Sequence, residues 1–218
     1  SITSLDMGEE IIANGWADFV AMCRPLMADP EMPRKYAQDR PEDRRPCLRC
    51  DACAARLFPP HPLNCAVNPI LGMVTELKDG LVPKAPVKKR VAVVGGGPAG
   101  IQAMLALVDR GHDVTLYEKT DRLGGNIIPG AVPPFKIDLQ DYLKWLVRQA
   151  QKAPAKILYN TEATKEMLER EKYDAIIIAV GAKPLIPSNI PGIDKPHVHW
   201  APDAEMGKVP CGDNVVIV

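Results

Sequence analysis

An excess of charge of either sign is the first thing this sequence lacks: 27 Lys plus Arg stand against 27 Asp plus Glu in 218 residues. No overall basic field argues for nucleic acid, and no acidic excess argues for disorder, so the expected partners are small molecules. No run of eighteen or more apolar residues occurs, and the spanning helix of a membrane protein is therefore not expected. Residues 1–10 are neither basic nor apolar enough for an export signal, which predicts a cytoplasmic chain. Histidine is sparse. His61, His112, His197 and His199 are the four, and none has a partner pattern for catalysis or metal binding. Internal repeats and low-complexity tracts are also missing. What is present is 46% hydrophobic residues, enough for the packed core of one large domain or two small ones. The 22 prolines gather in residues 25–69, 83–86, 129–134 and 184–210, which marks connecting segments between compact units.

Four of the six cysteines fall in one stretch. Cys47, Cys50 and Cys53 lie within seven residues, and Cys65 follows after eleven more. Thiolates at this spacing can turn toward one ion or cluster, and a ligand from further along closes the coordination shell. Disulfides are not expected in a chain kept reduced. Structural zinc remains an alternative, but zinc ribbons usually offer two separated Cys-x-x-Cys pairs. Three plus one, in a chain that also carries the flavin-type motif below, favours a four-iron, four-sulfur cluster. Pro46, Pro59, Pro60 and Pro62 stiffen the loop. Arg45, Arg49 and Arg56 would partly neutralise the cluster, or are solvated surface residues.

The second signal begins at residue 91. Residues 91–94 are a buried β run, followed by Gly95-Gly96-Gly97-Pro98-Ala99-Gly100 and by Ile101, Met104, Leu105 and Val108 at helical spacing. Gly111 stops the helix, residues 113–117 form a second strand, and Glu118 stands at its end, eighteen residues beyond Gly100. The glycines let a pyrophosphate approach the helix N-terminus, and a carboxylate at that distance can accept hydrogen bonds from an adenosine ribose. This is a dinucleotide site, with Gly95, Gly97, Pro98, Ala99, Gly100, Glu118 and Lys119 as candidate contacts.

Other elements are read more coarsely. Residues 6–14 predict a short helix stopped by Gly15, and residues 18–22 a strand ended by Pro25. Residues 136–152 form the longest amphipathic helix, whose apolar face is core packing. A short strand over 156–160, a short helix over 165–171 and a fully buried strand over 174–180 follow. Residues 213–218 look like the first strand of a further dinucleotide-binding domain.

Several of these residues carry a family resemblance. Residues 17–30, with Cys23-Arg24-Pro25 at their centre, resemble the eighth strand and following turn of the flavin-binding TIM barrel in the old yellow enzyme group, specifically the branch of 2,4-dienoyl-CoA reductase, enoate reductases and trimethylamine dehydrogenase. Members usually have Gly-Arg or Ala-Arg where this chain has Cys23-Arg24. In that branch a four-cysteine cluster and then a dinucleotide-binding domain follow the barrel, as here. Residues 66–69 and Gly72 resemble the exit from the cluster, and residues 73–89 read as a linker. Loops after barrel strands 7 and 8 commonly bind phosphate, so the resemblance makes Arg24 the candidate for the FMN phosphate; the alternative is a surface arginine in a turn. Residues 121–126, with Leu123, Gly124 and Gly125, resemble the second flavin-contact turn of flavoproteins with two dinucleotide domains, which favours FAD over NAD; a plain turn is the alternative. Ala179, Val180 and Gly181 resemble a family Ala-Thr-Gly turn, with Val180 replacing threonine.

The resemblance implies an α/β architecture in three parts: residues 1–40 as the end of the FMN-binding TIM barrel, 41–88 as the iron–sulfur segment and linker, and 89–218 as an incomplete Rossmann-like FAD-binding domain. These residues would then be the middle of a longer polypeptide. It further implies an oxidoreductase passing electrons from NAD(P)H through FAD and a 4Fe–4S cluster to FMN, to reduce an activated carbon–carbon double bond. Alternatives are an amine dehydrogenase of the trimethylamine dehydrogenase type, with outward electron flow, and a non-catalytic FAD and iron–sulfur electron-transfer subunit. Catalytic groups would lie on barrel loops outside these residues, so no catalytic residue is named. Expected partners are a small-molecule substrate and the remainder of the polypeptide or a partner subunit, with homo-oligomerisation left open and neither nucleic acid nor membrane expected.

Overall fold

The computed structural model describes residues 2–56, 61–73, 77 and 82–217; Pro59 and Pro60 of the cysteine loop lie outside the described residues. Helix α1 (Leu5–Ala13) starts at Ser4, whose hydroxyl accepts the Met7 amide at 3.2 Å, and ends before Gly15, which takes a left-handed φ of 64°. Two short helices follow, α2 (Arg24–Ala28) and α3 (Met32–Ala37), each with proline in its first turn, where the missing amide hydrogen costs nothing.

Strand β1 (Arg90–Val94) opens the second half. It leads through α4 (Pro98–Asp109) to β2 (Asp113–Tyr117), and then through α5 (Ile127–Gly130) and α6 (Ile137–Lys152) to β3 (Lys156–Leu158). Helix α7 (Lys165–Glu171), capped by the Thr164 hydroxyl at 3.2 Å, precedes β4 (Ala175–Ile178), and α8 (Ala201–Glu205) comes last. The four strands form one parallel sheet in the order β3-β2-β1-β4. Val91 is in register with Val114 on one side and Ala175 on the other. The chain therefore moves outward from β1 to β3 and then returns to the opposite side of β1. That reversal places a crevice at the carboxyl ends of β1 and β4, where open α/β sheets bind ligands.

The core lies under α4 and α6. Val93, Ile101, Met104, Val114, Leu116, Tyr142, Trp145, Leu146 and Ala150 are buried together, and Ala28 and Val67 of the first half belong to the same cluster. Truncating Leu146, which is fully buried, to alanine would cost about 2–5 kcal/mol. Cys47, Leu48 and Cys65 pack against this core, so the cysteine segment and the glycine-loop domain share their apolar interior.

Three expectations are corrected. Residues 18–22 form no strand: Val20 sits against Gly8 of α1, Phe19 is 90% exposed, and no neighbouring strand among the described residues pairs with this backbone. Residues 213–217 form no strand either, and Val215, Val216 and Ile217 are exposed. The run over 174–180 is a strand only at Ala175–Ile178, and it is exposed rather than fully buried. It is the edge of the described sheet, with Ile178 74% exposed. An apolar run predicts burial on both faces only when neighbours cover both faces.

Candidate functional site

The glycine loop occupies the crevice at the sheet reversal. Gly95 follows β1 directly, its amide donating to the Tyr117 carbonyl at 2.8 Å and its φ of 107° being one that side chains rarely adopt. A Cβ on Gly95 would overlap the Ala179 carbonyl, and one on Gly100 would overlap the Gly95 carbonyl. The loop is thus pressed between the first turn of α4 and the segment after β4, where the Ala179 amide donates to the Val94 carbonyl at 2.8 Å. Gly97 caps α4 and Pro98 and Ala99 open it, which leaves the first-turn amides without intrahelical partners and aimed outward.

Glu118 holds this loop from the end of β2. One carboxylate oxygen accepts the Gly96 amide at 2.7 Å, and the other accepts the amide and hydroxyl of Thr120, each at 2.8 Å. The residue is only 7% exposed. Three donors occupy three of the roughly four lone-pair sites of a carboxylate, leaving about one for a ribose hydroxyl. Gly96 and Thr120 were not among the residues singled out from the sequence. A hydrogen-bonding residue two positions after the acidic one was the available signal for Thr120, and nothing distinguished Gly96 from its neighbours.

Gly124 and Gly125 lie against the same loop. The Gly124 amide donates to the Gly96 carbonyl at 2.8 Å, and a Cβ on Gly125 would come within 3.0 Å of the Gly97 Cα. Leu123 is buried and its side chain packs against Gly96, so it supports the loop from inside. Gly181 has a φ of 74° with open space around it. Lys119 is exposed beside Glu118.

The four cysteines mark a second candidate site. Cys47, Cys50, Cys53 and Cys65 line one recess together with Arg24, Met27, Leu48, Asp51, Ala66 and Val67. All four cysteines and Arg24, the candidate for the FMN phosphate, thus line the same recess. Arg24 is paired with Asp51 of the cysteine loop. Burial pushes the Cys47 thiol above its ordinary range, opposed by the Arg49 amide, which donates to its sulfur at 3.4 Å, and reinforced by the nearby thiols of Cys65 and Cys50. Among the described residues no three His, Cys, Asp or Glu side chains are grouped closely enough to hold a single metal ion.

Helix α6 joins the two sites. The Trp145 indole donates to the Asp43 carbonyl at 2.9 Å, Arg148 to the Glu42 carbonyl at 2.6 Å, and Gln149 and Lys152 to the Asp43 carboxylate at 3.2 and 2.5 Å. Arg49 of the cysteine loop pairs with Asp138 at the start of the helix at 2.7 Å. His112 is structural, its Nδ1 accepting the Lys89 amide at 3.1 Å. Among the described residues no helix is long and apolar enough to cross a membrane.

Sheet order, glycine loop and acidic residue together define a dinucleotide-binding α/β protein. Residues 89–218 match the family described as pyridine nucleotide-disulphide oxidoreductase, and the chain belongs to that family, whose domain implies FAD and NAD(P)H. It is 39% identical over 214 residues to the cinnamate reductase of Clostridium sporogenes, a match covering 98% of this chain and 31% of that protein. A solved complex of 2-naphthoyl-CoA reductase with 2-naphthoyl-CoA is 37% identical, with a TM-score of 0.86 over 95% of this chain and 31% of the other. Histamine dehydrogenase from Rhizobium sp. 4-9 is 28% identical, with a TM-score of 0.76 over 82% of this chain and 26% of the other. The chain spans about a third or less of the length of these relatives. Reductases and an amine dehydrogenase are the two kinds of oxidoreductase that the family resemblance of residues 17–30 and the segments after them implies.

Proposed function

We propose that this chain is the electron-transferring segment of an NAD(P)H-dependent iron–sulfur flavoprotein that reduces an activated carbon–carbon double bond of the 2-enoate or 2,4-dienoyl-CoA type. The observation that carries the reading is the shared interior: the recess lined by all four cysteines and the glycine-loop crevice are built on one core and tied by α6. Two redox sites on a rigid common core keep a fixed separation. A flavin accepts hydride and passes on single electrons, and a cluster relays electrons one at a time, which is the chemistry these groups would supply.

The residues fit both groups. Gly95, Gly97 and Gly100 keep side chains off the N-terminus of α4, where the amides of Ala99 and Gly100 would bind a pyrophosphate. Glu118 would accept a ribose hydroxyl while its other bonds hold the loop closed. Gly124, Gly125, Ala179 and Gly181 would admit the remainder of an FAD without side-chain interference. Cys47, Cys50, Cys53 and Cys65 would hold the cluster. Three cysteines within seven residues plus one from further along suit a four-iron, four-sulfur cluster better than zinc, whose ribbons usually offer two separated Cys-x-x-Cys pairs. Arg24, which lines the cysteine recess and pairs with Asp51, would meet the FMN phosphate of a barrel of which residues 1–40 are the end.

The similarity to histamine dehydrogenase favours one second reading, in which an amine is oxidised and electrons leave through the same cluster. Cofactor and substrate analysis of the full-length protein separates the two. We expect FMN, FAD, and iron with matching sulfide, together with NAD(P)H-dependent reduction of a 2-enoate. Cluster and flavins with amine-dependent reduction and no enoate turnover would support the second reading. Zinc in place of iron and sulfide would overturn both.

A further inference from the structure

Arg44 and Arg45 of the cysteine segment both have a buried Nε, but Arg44 turns away to donate to the Thr3 carbonyl at 3.2 Å, whereas Arg45 lies over Trp145. The Arg45 Nε has no hydrogen-bond partner, and among the described residues the guanidinium makes no ion pair. The group lies 4.9 Å from the centre of the Trp145 ring, a cation stacked on an aromatic face. Trp145 is itself fixed, stacked on Tyr142 with centroids 5.8 Å apart and bonded to Asp43. At the other end the Arg45 amide donates to Asp29 at 2.7 Å, a carboxylate that also takes Lys35 at 2.7 Å, and Pro46 restricts residue 45 to extended backbone. The side chain therefore has little freedom to leave.

What it faces gives it a role. Asp29, Tyr142, Cys65 and Asp109 act electrostatically on the guanidinium, and Cys47 is two residues away. Cys47 and Cys65 pack on the same core as Trp145. Arginine stays charged even when buried, so a permanent, largely shielded positive charge that interacts with Cys65 is stacked on the core against which Cys47 and Cys65 pack. The other arginines are differently placed. Arg49 is exposed and paired with Asp138, Arg56 is exposed, and Arg24 is offset by Asp51. Exposed charges are screened by water and salt, and a buried one is not.

We propose that the Arg45 guanidinium, clamped on Trp145, sets the reduction potential of the cluster held by Cys47, Cys50, Cys53 and Cys65, favouring its reduced form. The inference rests on the cluster reading above. Reduction adds one electron to an already anionic group, and a fixed cation beside it stabilises the added charge; net charge near a cluster is one of the determinants of its potential. A cluster made easier to reduce accepts electrons from a flavin more readily and holds them until the acceptor is ready.

The test uses the full-length holoenzyme and its Arg45→Gln, Arg45→Met, Arg45→Lys and Arg49→Gln variants. Iron and sulfide are assayed on each, followed by a dithionite titration with redox mediators, monitored by electron paramagnetic resonance. Arg45→Gln and Arg45→Met should make the reduction equilibrium about tenfold less favourable, a shift of about 59 mV for a one-electron couple. Arg45→Lys, which keeps the charge, should stay within about threefold of the parent, and Arg49→Gln should be unchanged. Met keeps the apolar stem against Trp145, so it carries the comparison where Gln loses iron. Neutral variants that keep their cluster at the parent potential overturn the proposal, as does a Lys variant shifted as far as Gln, or loss of iron from all three. Loss of iron from both neutral variants with retention in Lys overturns it as well, because the charge then holds the cluster rather than setting its potential. A parent protein without iron and sulfide defeats instead the cluster reading itself.

Discussion

The indole N–H of Trp145 donates to the main-chain carbonyl of Asp43 across 2.9 Å, and through this bond the longest helix of the dinucleotide domain grips the segment that carries the cysteines. Both groups are buried. Trp145→Phe keeps an aromatic ring beside Arg45 but leaves the Asp43 carbonyl without its donor, at a cost of about 1–3 kcal/mol. Urea unfolding of the full-length protein should show that loss. A midpoint equal to the parent's would mean that the bond contributes nothing to docking.

The carboxylate of Asp43 supplies a pH dependence. It is 5% exposed, and the hydrogen bond from Lys152 holds it below the usual carboxylate range; Gln149 and the charges of Lys152 and Arg40 add to that, and burial opposes it. A depressed folded-state value means stabilisation that is fully present above the unfolded value of about 3.9 and lost as pH falls through the folded one. The difference in urea midpoint between parent and Asp43→Asn should therefore be constant from neutral pH to about 5 and shrink below about 4. A difference that grows in acid would show that the Lys152 pair opposes folding.

Gly100 tests the crevice. Its hydrogen faces the Gly95 carbonyl so closely that a methyl group would overlap it, and neither backbone can yield without moving β1 or α4. Gly100→Ala should cost at least the roughly 1–3 kcal/mol of an overpacked core, and the purified variant should carry less than a tenth of the parent's flavin. Full flavin content would mean that the loop tolerates displacement and that its tight approach is not what binds the dinucleotide.

The two halves of the chain were unequally legible. Strand, glycine loop, helix and Glu118 could be read because each demand is local: a short buried apolar run, a tight turn, a helix with apolar residues at helical spacing. Helix α7 falls on its expected residues for the same reason. The cysteines were legible as a group of candidate ligands by their spacing, but the tie between their segment and the dinucleotide domain through Asp43 and Trp145 was not, since those residues stand about a hundred positions apart and neither belongs to a motif. Residues 18–22 and 213–217 misled because apolar runs report a preference for extended backbone, whereas strands require a partner. Placement of Arg45 inside and Arg49 outside was likewise beyond the sequence, where both are simply arginines near cysteine.

Glu118 offers the sharpest check on the dinucleotide site. As a carboxylate it presents only acceptors, and the three groups facing it, the Gly96 amide and the amide and hydroxyl of Thr120, all donate. Glutamine is nearly isosteric but replaces one acceptor oxygen with an NH2 group, which must then point a donor at either Gly96 or Thr120. One buried donor is left unmatched in either orientation, at about 1–3 kcal/mol. If the NH2 faces Gly96, the glycine loop loses its anchor; if it faces Thr120, the turn after β2 loosens. Glu118→Gln should lower the urea midpoint and the flavin-to-protein ratio together, because the same carboxylate holds the loop and would hold the ribose. Thr120→Val removes only the hydroxyl and should lower the midpoint by less, with flavin content retained. A Glu118→Gln variant that loses stability and keeps its flavin would confine Glu118 to bracing the loop and remove it from the cofactor site.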